Sequence, residues 1–119
     1  MQSAALWLYS LLVWLAQPLV RRKLRRRARA EKGYATAVAE RFGYYARPLD
    51  SLMPLSSTSG QGSFLWIHAV SLGETRAAGI LLAELRAQWP EMRLLLTHGT
   101  ATGRKEGERL LLPGDIQVW

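Results

Sequence analysis

The chain has 119 residues, no cysteine and two histidines, His68 and His98, which excludes a disulfide framework, a thiolate metal site and a tetrahedral zinc site built on histidine alone. Sixteen basic residues against nine acidic ones give a net charge of +7, and seven of the basic side chains fall between Arg21 and Arg29. The excess is local and adjoins an apolar run, with no interleaved stacking aromatics and no nucleic-acid motif, so it points to an anionic membrane surface and not to nucleic acid.

No residue from Met1 to Val20 is charged. As a helix, about 20 residues rise about 30 Å, the thickness of the hydrocarbon layer. Gln17 and Pro18 weaken the end of the run, which leaves two readings: a full span, or a tilted anchor inserted part of the way. A cleaved signal peptide has its positive charge before the apolar stretch, and here the order is reversed. The arginine run keeps the rest of the chain on the cytoplasmic side, so the soluble part is expected to face the cytoplasm. Trp7, Tyr9 and Trp14 read either as interfacial anchors or as lipid-facing bulk. From Arg21 to Phe42 the composition favours helix, with Gly33 as an interruption. Gly43, Pro48 and the stretch 53–63 read as loop and linker. The expected segments are therefore an anchor over 1–20, a basic helical segment and linker over 21–62, and a folded domain over 63–119.

Phe64–Val70 is an apolar run of strand length, suited to a strand covered on both faces. Ser71-Leu72-Gly73 turns the chain, and a helix is expected from Glu74 or Thr75 to just before Pro90, with Ala77, Ala78, Ile80, Leu81, Leu82 and Leu85 on its apolar face. Met92–Thr97 is a second buried strand, His98–Gly103 a small-residue loop, and Arg104–Leu112 a second helix. Pro113-Gly114 is a turn, and Ile116–Trp119 opens a third strand. Strand, helix, strand, helix, strand is the order of a parallel α/β sheet with right-handed crossovers.

Ligands of such sheets bind at the carboxyl ends of the strands. Two loops gather there: Ser71-Leu72-Gly73-Glu74 and His98–Gly103. Glu74 stands after a glycine at the mouth of a helix, and its carboxylate could take a proton from a sugar hydroxyl as that oxygen attacks an activated carbon. Ser71 and Glu74 also have the S-x-x-E spacing of a capping box, in which the glutamate only satisfies a backbone amide. The second loop is no Walker loop, since three residues and not four separate Gly99 from Gly103 and no serine or threonine comes after Lys105. Thr102 reads equally as a helix N-cap or as a ligand contact. His68, inside a strand, reads as a satisfied core residue before it reads as a base.

The combination of these pieces is more specific than any one of them. Ile67–Thr75 resembles the H-x-V-S-x-G-E signature of the 3-deoxy-D-manno-octulosonic acid (Kdo) transferases, and Thr97–Gly103 resembles their T-x-x-T-x-T-G loop. Ala39–Tyr45 is similar to their E-R-F-G-x-Y stretch. The resemblance implies the N-terminal, Rossmann-like half of a GT-B glycosyltransferase, inverting and metal-independent, with CMP-Kdo as donor, a lipid A precursor as acceptor and no cofactor. It places the catalytic base on Glu74 and acceptor binding on Ser71, Gly73, Thr97, Thr100, Thr102 and Gly103. The sequence ends at Trp119, before the family's E-x-E-L-W-P motif and its donor-binding C-terminal domain, so residues 1–119 are expected to lack transfer activity by themselves. The competing expectation is a non-catalytic, membrane-tethered interaction module in which Glu74 and Thr102 are only caps.

Overall fold

A computed structural model describes residues 4–46 and 64–119, and the expected linker and its end at Ser63 lie outside them. The chain divides into two compact units between Thr36 and Ala37.

In the first unit, helix α1 runs over Ala4–Ala30 and carries the apolar stretch and all seven clustered basic residues on one continuous element. It continues through Pro18. A proline removes one backbone donor, but the flanking leucine, alanine and arginine are strong helix formers that carry the helix across it. None of its residues is buried within the protein, and it is long and apolar enough to cross a membrane. The helical expectation over 21–42 needs correcting beyond Ala30. Glu31 turns extended, and 3-10 turns over Lys32–Ala35 and Val38–Phe42 replace regular helix. Gly33 lies in the first of these turns, where the Arg27 guanidinium sits 5.5 Å over the Tyr34 ring and folds the turn against the end of α1.

The second unit is an α/β layer. Strands β1 (Phe64–Ala69), β2 (Arg93–His98) and β3 (Ile116–Val118) form a parallel sheet in that order. Helix α2 (Leu72–Gln88) joins the first pair. Helix α3 (Ala101–Gly107), prolonged by a 3-10 turn over Glu108–Leu110, joins the second. Ala69, Leu82, Leu94 and Leu96 form the core, and Leu65, Ile67, Met92, Leu110 and Leu111 pack against it. Burying side chains such as Leu82, Leu94 and Leu96 contributes about 1.5–3 kcal/mol each.

Several boundaries differ from the sequence reading. Helix α2 starts at Leu72, because Ser71 caps it and the turn residues Leu72 and Gly73 belong to its first turn. Its buried stripe is narrower than expected, at Thr75, Ala78 and Leu82, while Ile80 is 74% exposed and Leu81 53% exposed. β2 is buried along nearly its whole length, but β1 is covered on one face only among the described residues. Leu65, Ile67 and Ala69 pack into the core, and Trp66 is 67% exposed. At the amino ends of the strands Asp115 ties the layer together. Its carboxylate accepts from the amides of Leu94 and Leu112, both at 2.8 Å, and pairs with Arg86.

Candidate active site

The two loops singled out in the sequence meet at the carboxyl ends of β1 and β2. Ser71 is the N-cap of α2, and its hydroxyl accepts the Glu74 amide. The Glu74 carboxylate accepts the Val70 amide at 2.8 Å and the Ser71 hydroxyl at 3.2 Å. This is a capping box shifted by one residue, since the usual partner of such a glutamate is the amide of the cap itself. Two bonds leave part of the carboxylate's capacity of about four lone pairs unused. The side chain is exposed, and beside it, among the described residues, nothing packs within 4 Å of where a Cβ on Gly73 would stand. The carboxylate is therefore open to approach along the first turn of α2 among the described residues.

Thr100, and not Thr102, caps α3, because its side chain is the one that accepts the Gly103 amide. The Thr100 hydroxyl also donates to the Val70 carbonyl at 2.8 Å, so it links the two loops. Gly103 is buried against Ser71: a Cβ there would stand 3.2 Å from the Ser71 carbonyl carbon. Thr75, fully buried, donates its hydroxyl to the Ser71 carbonyl at 2.8 Å. Thr102 is exposed on the outer face of the first turn of α3. Thr97 lies within β2, where its hydroxyl accepts from the Trp66 indole at 3.0 Å and meets His68 Nδ1 at 2.8 Å. Glu74, Gly73 and Thr102 thus face outward, Ser71 and Thr100 are half-buried, and Thr97 and Gly103 are buried supports.

The histidines exchange their expected environments. His68 projects from the exposed face of β1 and is satisfied by Thr97, whereas His98 belongs to β2 and is 3% exposed. His98 Nδ1 donates to the Ala69 carbonyl at 3.1 Å, which leaves Nε2 to accept from the Gln117 amide at 3.0 Å. Burial pushes His98 below the ordinary imidazole range, with the Ala69 bond partly opposing the shift. Among the described residues no three histidine, aspartate or glutamate side chains come together to hold a metal ion. A cleft of about 460 Å³ lined by Pro90, Met92, Leu112, Pro113 and Asp115 opens at the amino ends of the strands, the edge opposite Glu74 and the wrong one for a ligand of such a sheet.

Sequence reasoning assigned no role to Glu40, Arg41, Arg104 or Trp119, although Glu40 and Arg41 stand in the E-R-F-G stretch. Arg41 donates to the Gly99 carbonyl at 3.3 Å, and Glu40 receives Arg104 at 3.3 Å and the Trp119 amide at 3.1 Å. Their position in a motif was the signal; their partners, about 60 to 80 residues away in the chain, were not readable from it.

A sequence model of the family described as 3-deoxy-D-manno-octulosonic-acid transferase (kdotransferase) matches residues 36–119. The chain is 61% identical over 46 residues to a 3-deoxy-D-manno-octulosonic acid transferase of Bordetella pertussis, covering 39% of this chain and 10% of that protein. It is 36% identical over 55 residues to the enzyme of the same description from Rickettsia felis, covering 46% of this chain and 12% of that protein. The matched stretches thus span about a tenth of the length of these curated relatives. No solved structure matches the chain. The family match takes in both loops, the whole sheet and the Val38–Phe42 turn, and the chain belongs to the Kdo transferase family.

Proposed function

We propose that these residues form the acceptor side of a GT-B glycosyltransferase that moves Kdo from CMP-Kdo to a lipid A precursor with inversion and without a metal or cofactor. Glu74 is the general base. The acceptor's sugar oxygen attacks the anomeric carbon of Kdo, its proton passes to the Glu74 carboxylate, and the bond from that carbon to the CMP phosphate breaks, with CMP leaving as the anion. Ser71 and Thr100 hold the two loops in register, Gly73 and Thr102 border the acceptor, and Thr97 and Gly103 shape the floor. α1 anchors the protein in the inner membrane, and its basic stretch lies against the anionic cytoplasmic surface near the lipid phosphates.

The observation that carries this reading is an exposed carboxylate oriented by two hydrogen bonds beside an open glycine. In the full-length protein Glu74→Gln is expected to lower transfer by about 10²–10⁴-fold, the usual contribution of a general base, and to cost at most about 1 kcal/mol of capping energy. Transfer retained at the parent rate would remove Glu74 as the base and favour the alternative in which it serves only as a cap in a membrane-tethered interaction module.

A further inference from the structure

We infer that Glu40 and Arg41 form a positioning clamp that sets the second acceptor loop against the first, so that residues distant in sequence from both loops control the geometry around Glu74. The inference rests on the proposed acceptor-side function and adds a positioning element to it.

The two neighbouring side chains grip the same stretch from one side. Arg41 donates to the carbonyl of Gly99, the residue before the α3 cap, and its guanidinium lies 3.4 Å over the Trp119 ring. One Glu40 carboxylate oxygen accepts both Arg104, in the first turn of α3, and the Trp119 amide at the end of β3. Arg104 in turn lies 4.9 Å over the same Trp119 ring. The side chains of Glu40 and Arg104 are only 18% and 15% exposed, so solvent screens their attraction far less than it screens a surface pair. The segment 99–104 is thus held at Gly99 and at Arg104, on either side of the Thr100 cap.

From there the coupling to Glu74 is direct. Thr100 donates to the Val70 carbonyl, and the amide of that same Val70 donates to the Glu74 carboxylate. Gly99 lies so close to Val70 that a Cβ on it would stand 2.6 Å from Val70 Cγ1. A shift of the clamp therefore moves Val70, and with it the orientation of the base. The turn that carries the clamp is not a relaxed one: Ala37, at its start, holds φ 47° and ψ 42°, a left-handed conformation for a residue with a side chain. Such a conformation is strained for a residue with a Cβ and persists where its surroundings fix it, as the contacts of Glu40 and Arg41 do here.

The test uses the full-length protein and compares Glu40→Ala and Glu40→Gln with Glu74→Gln. Displacing acceptor-positioning groups by about 1 Å can cost up to about 10²-fold, so Glu40→Ala is expected to lower kcat/KM for the lipid acceptor by about 10-fold or more while the KM for CMP-Kdo stays at the parent value. Glu40→Gln, which keeps an oxygen for the Trp119 amide, should fall between. Hydrogen exchange should rise in peptides covering 97–104 and 70–76 and stay at the parent level in the middle of α2. A fall in kcat/KM with uniformly faster exchange, or an unchanged kcat/KM for the acceptor, overturns the clamp. Loss of activity in Glu74→Gln with an unaffected Glu40→Ala sinks this inference alone, whereas an active Glu74→Gln sinks the reading on which it rests.

Discussion

Replacing Asp115 with alanine should unsettle the sheet unit without touching the loops around Glu74. The Asp115 side chain is 2% exposed and that of Arg86 18%. The substitution leaves three donors behind: the Leu94 amide at the start of β2, the Leu112 amide and one nitrogen of Arg86. Removing one partner of a buried pair costs about 3–5 kcal/mol. Arg86 keeps its bond to the Leu110 carbonyl at 2.7 Å and some contact with water, which favours the lower end, about 3 kcal/mol. A unit of about 80 residues has about 4–12 kcal/mol to lose, at about 0.05–0.15 kcal/mol per residue. With a urea m-value of about 1 kcal/mol per M, the unfolding midpoint should fall by about 3 M. The assay is urea unfolding in detergent, monitored by the fluorescence of the three tryptophans of the sheet unit, Trp66, Trp89 and the buried Trp119, in a background with Trp7 and Trp14 replaced by phenylalanine. Asp115→Asn keeps one acceptor oxygen and should lose less. A loss below about 1 kcal/mol, the net value of one ordinary hydrogen bond, would show that Asp115 is not the tie that the geometry makes it.

The site itself gives two further expected outcomes. Gly73→Ala meets no atom within 4 Å and lies in the first turn of α2, so it should raise stability by about 0.4–1 kcal/mol through a less flexible unfolded chain; under the proposed function it also narrows the acceptor's approach, and thermal unfolding read beside the acceptor KM should show both rising. His98 is held below the ordinary histidine value of 6.5, chiefly by burial. The unfolded chain therefore takes up this proton first, and stability that is full above about pH 6.5 declines as the pH falls below it. Urea midpoints between pH 8 and pH 5 should show that decline, and His98→Gln should flatten it.

Much of the layer is legible because its signals are local. Leu94–Leu96 reads as a buried strand and is one, and the S-x-x-E spacing at Ser71 and Glu74 places a helix start within a few residues of its position. The errors come where a long-range contact decides. Thr102 and Thr100 carry the same cap chemistry, and the one that caps is the one whose hydroxyl also reaches Val70 across the sheet edge. Ile80 and Leu81 look like core residues by composition, yet the helix meets the sheet along the narrower stripe of Thr75, Ala78 and Leu82. His98 reads as a loop residue until β3 supplies Gln117 and the Ala69 carbonyl completes its surroundings. The grip of Glu40 and Arg41 on residues 99–104 and on Trp119 is signalled in the sequence only by their place in the E-R-F-G stretch, since its partners are brought together only by the folded sheet unit.

The capping contacts of Glu74 do not count against the role of base proposed for it. A capping glutamate uses its oxygens as acceptors, and a general base uses an oxygen lone pair in the same way; the two functions compete only if the cap consumes every lone pair. Here Val70 and Ser71 supply two donors to a carboxylate that can accept about four, and the side chain remains exposed beside an unobstructed glycine. The cap fixes the rotamer before an acceptor arrives, which removes part of the entropy that orienting a free glutamate would cost. Its amide donor is Val70, whose own carbonyl is bonded by Thr100 of the second loop. The same hydrogen bonds that begin the helix therefore link the carboxylate to the loop expected to hold the acceptor, and a shift in one loop is felt by the other through a single residue.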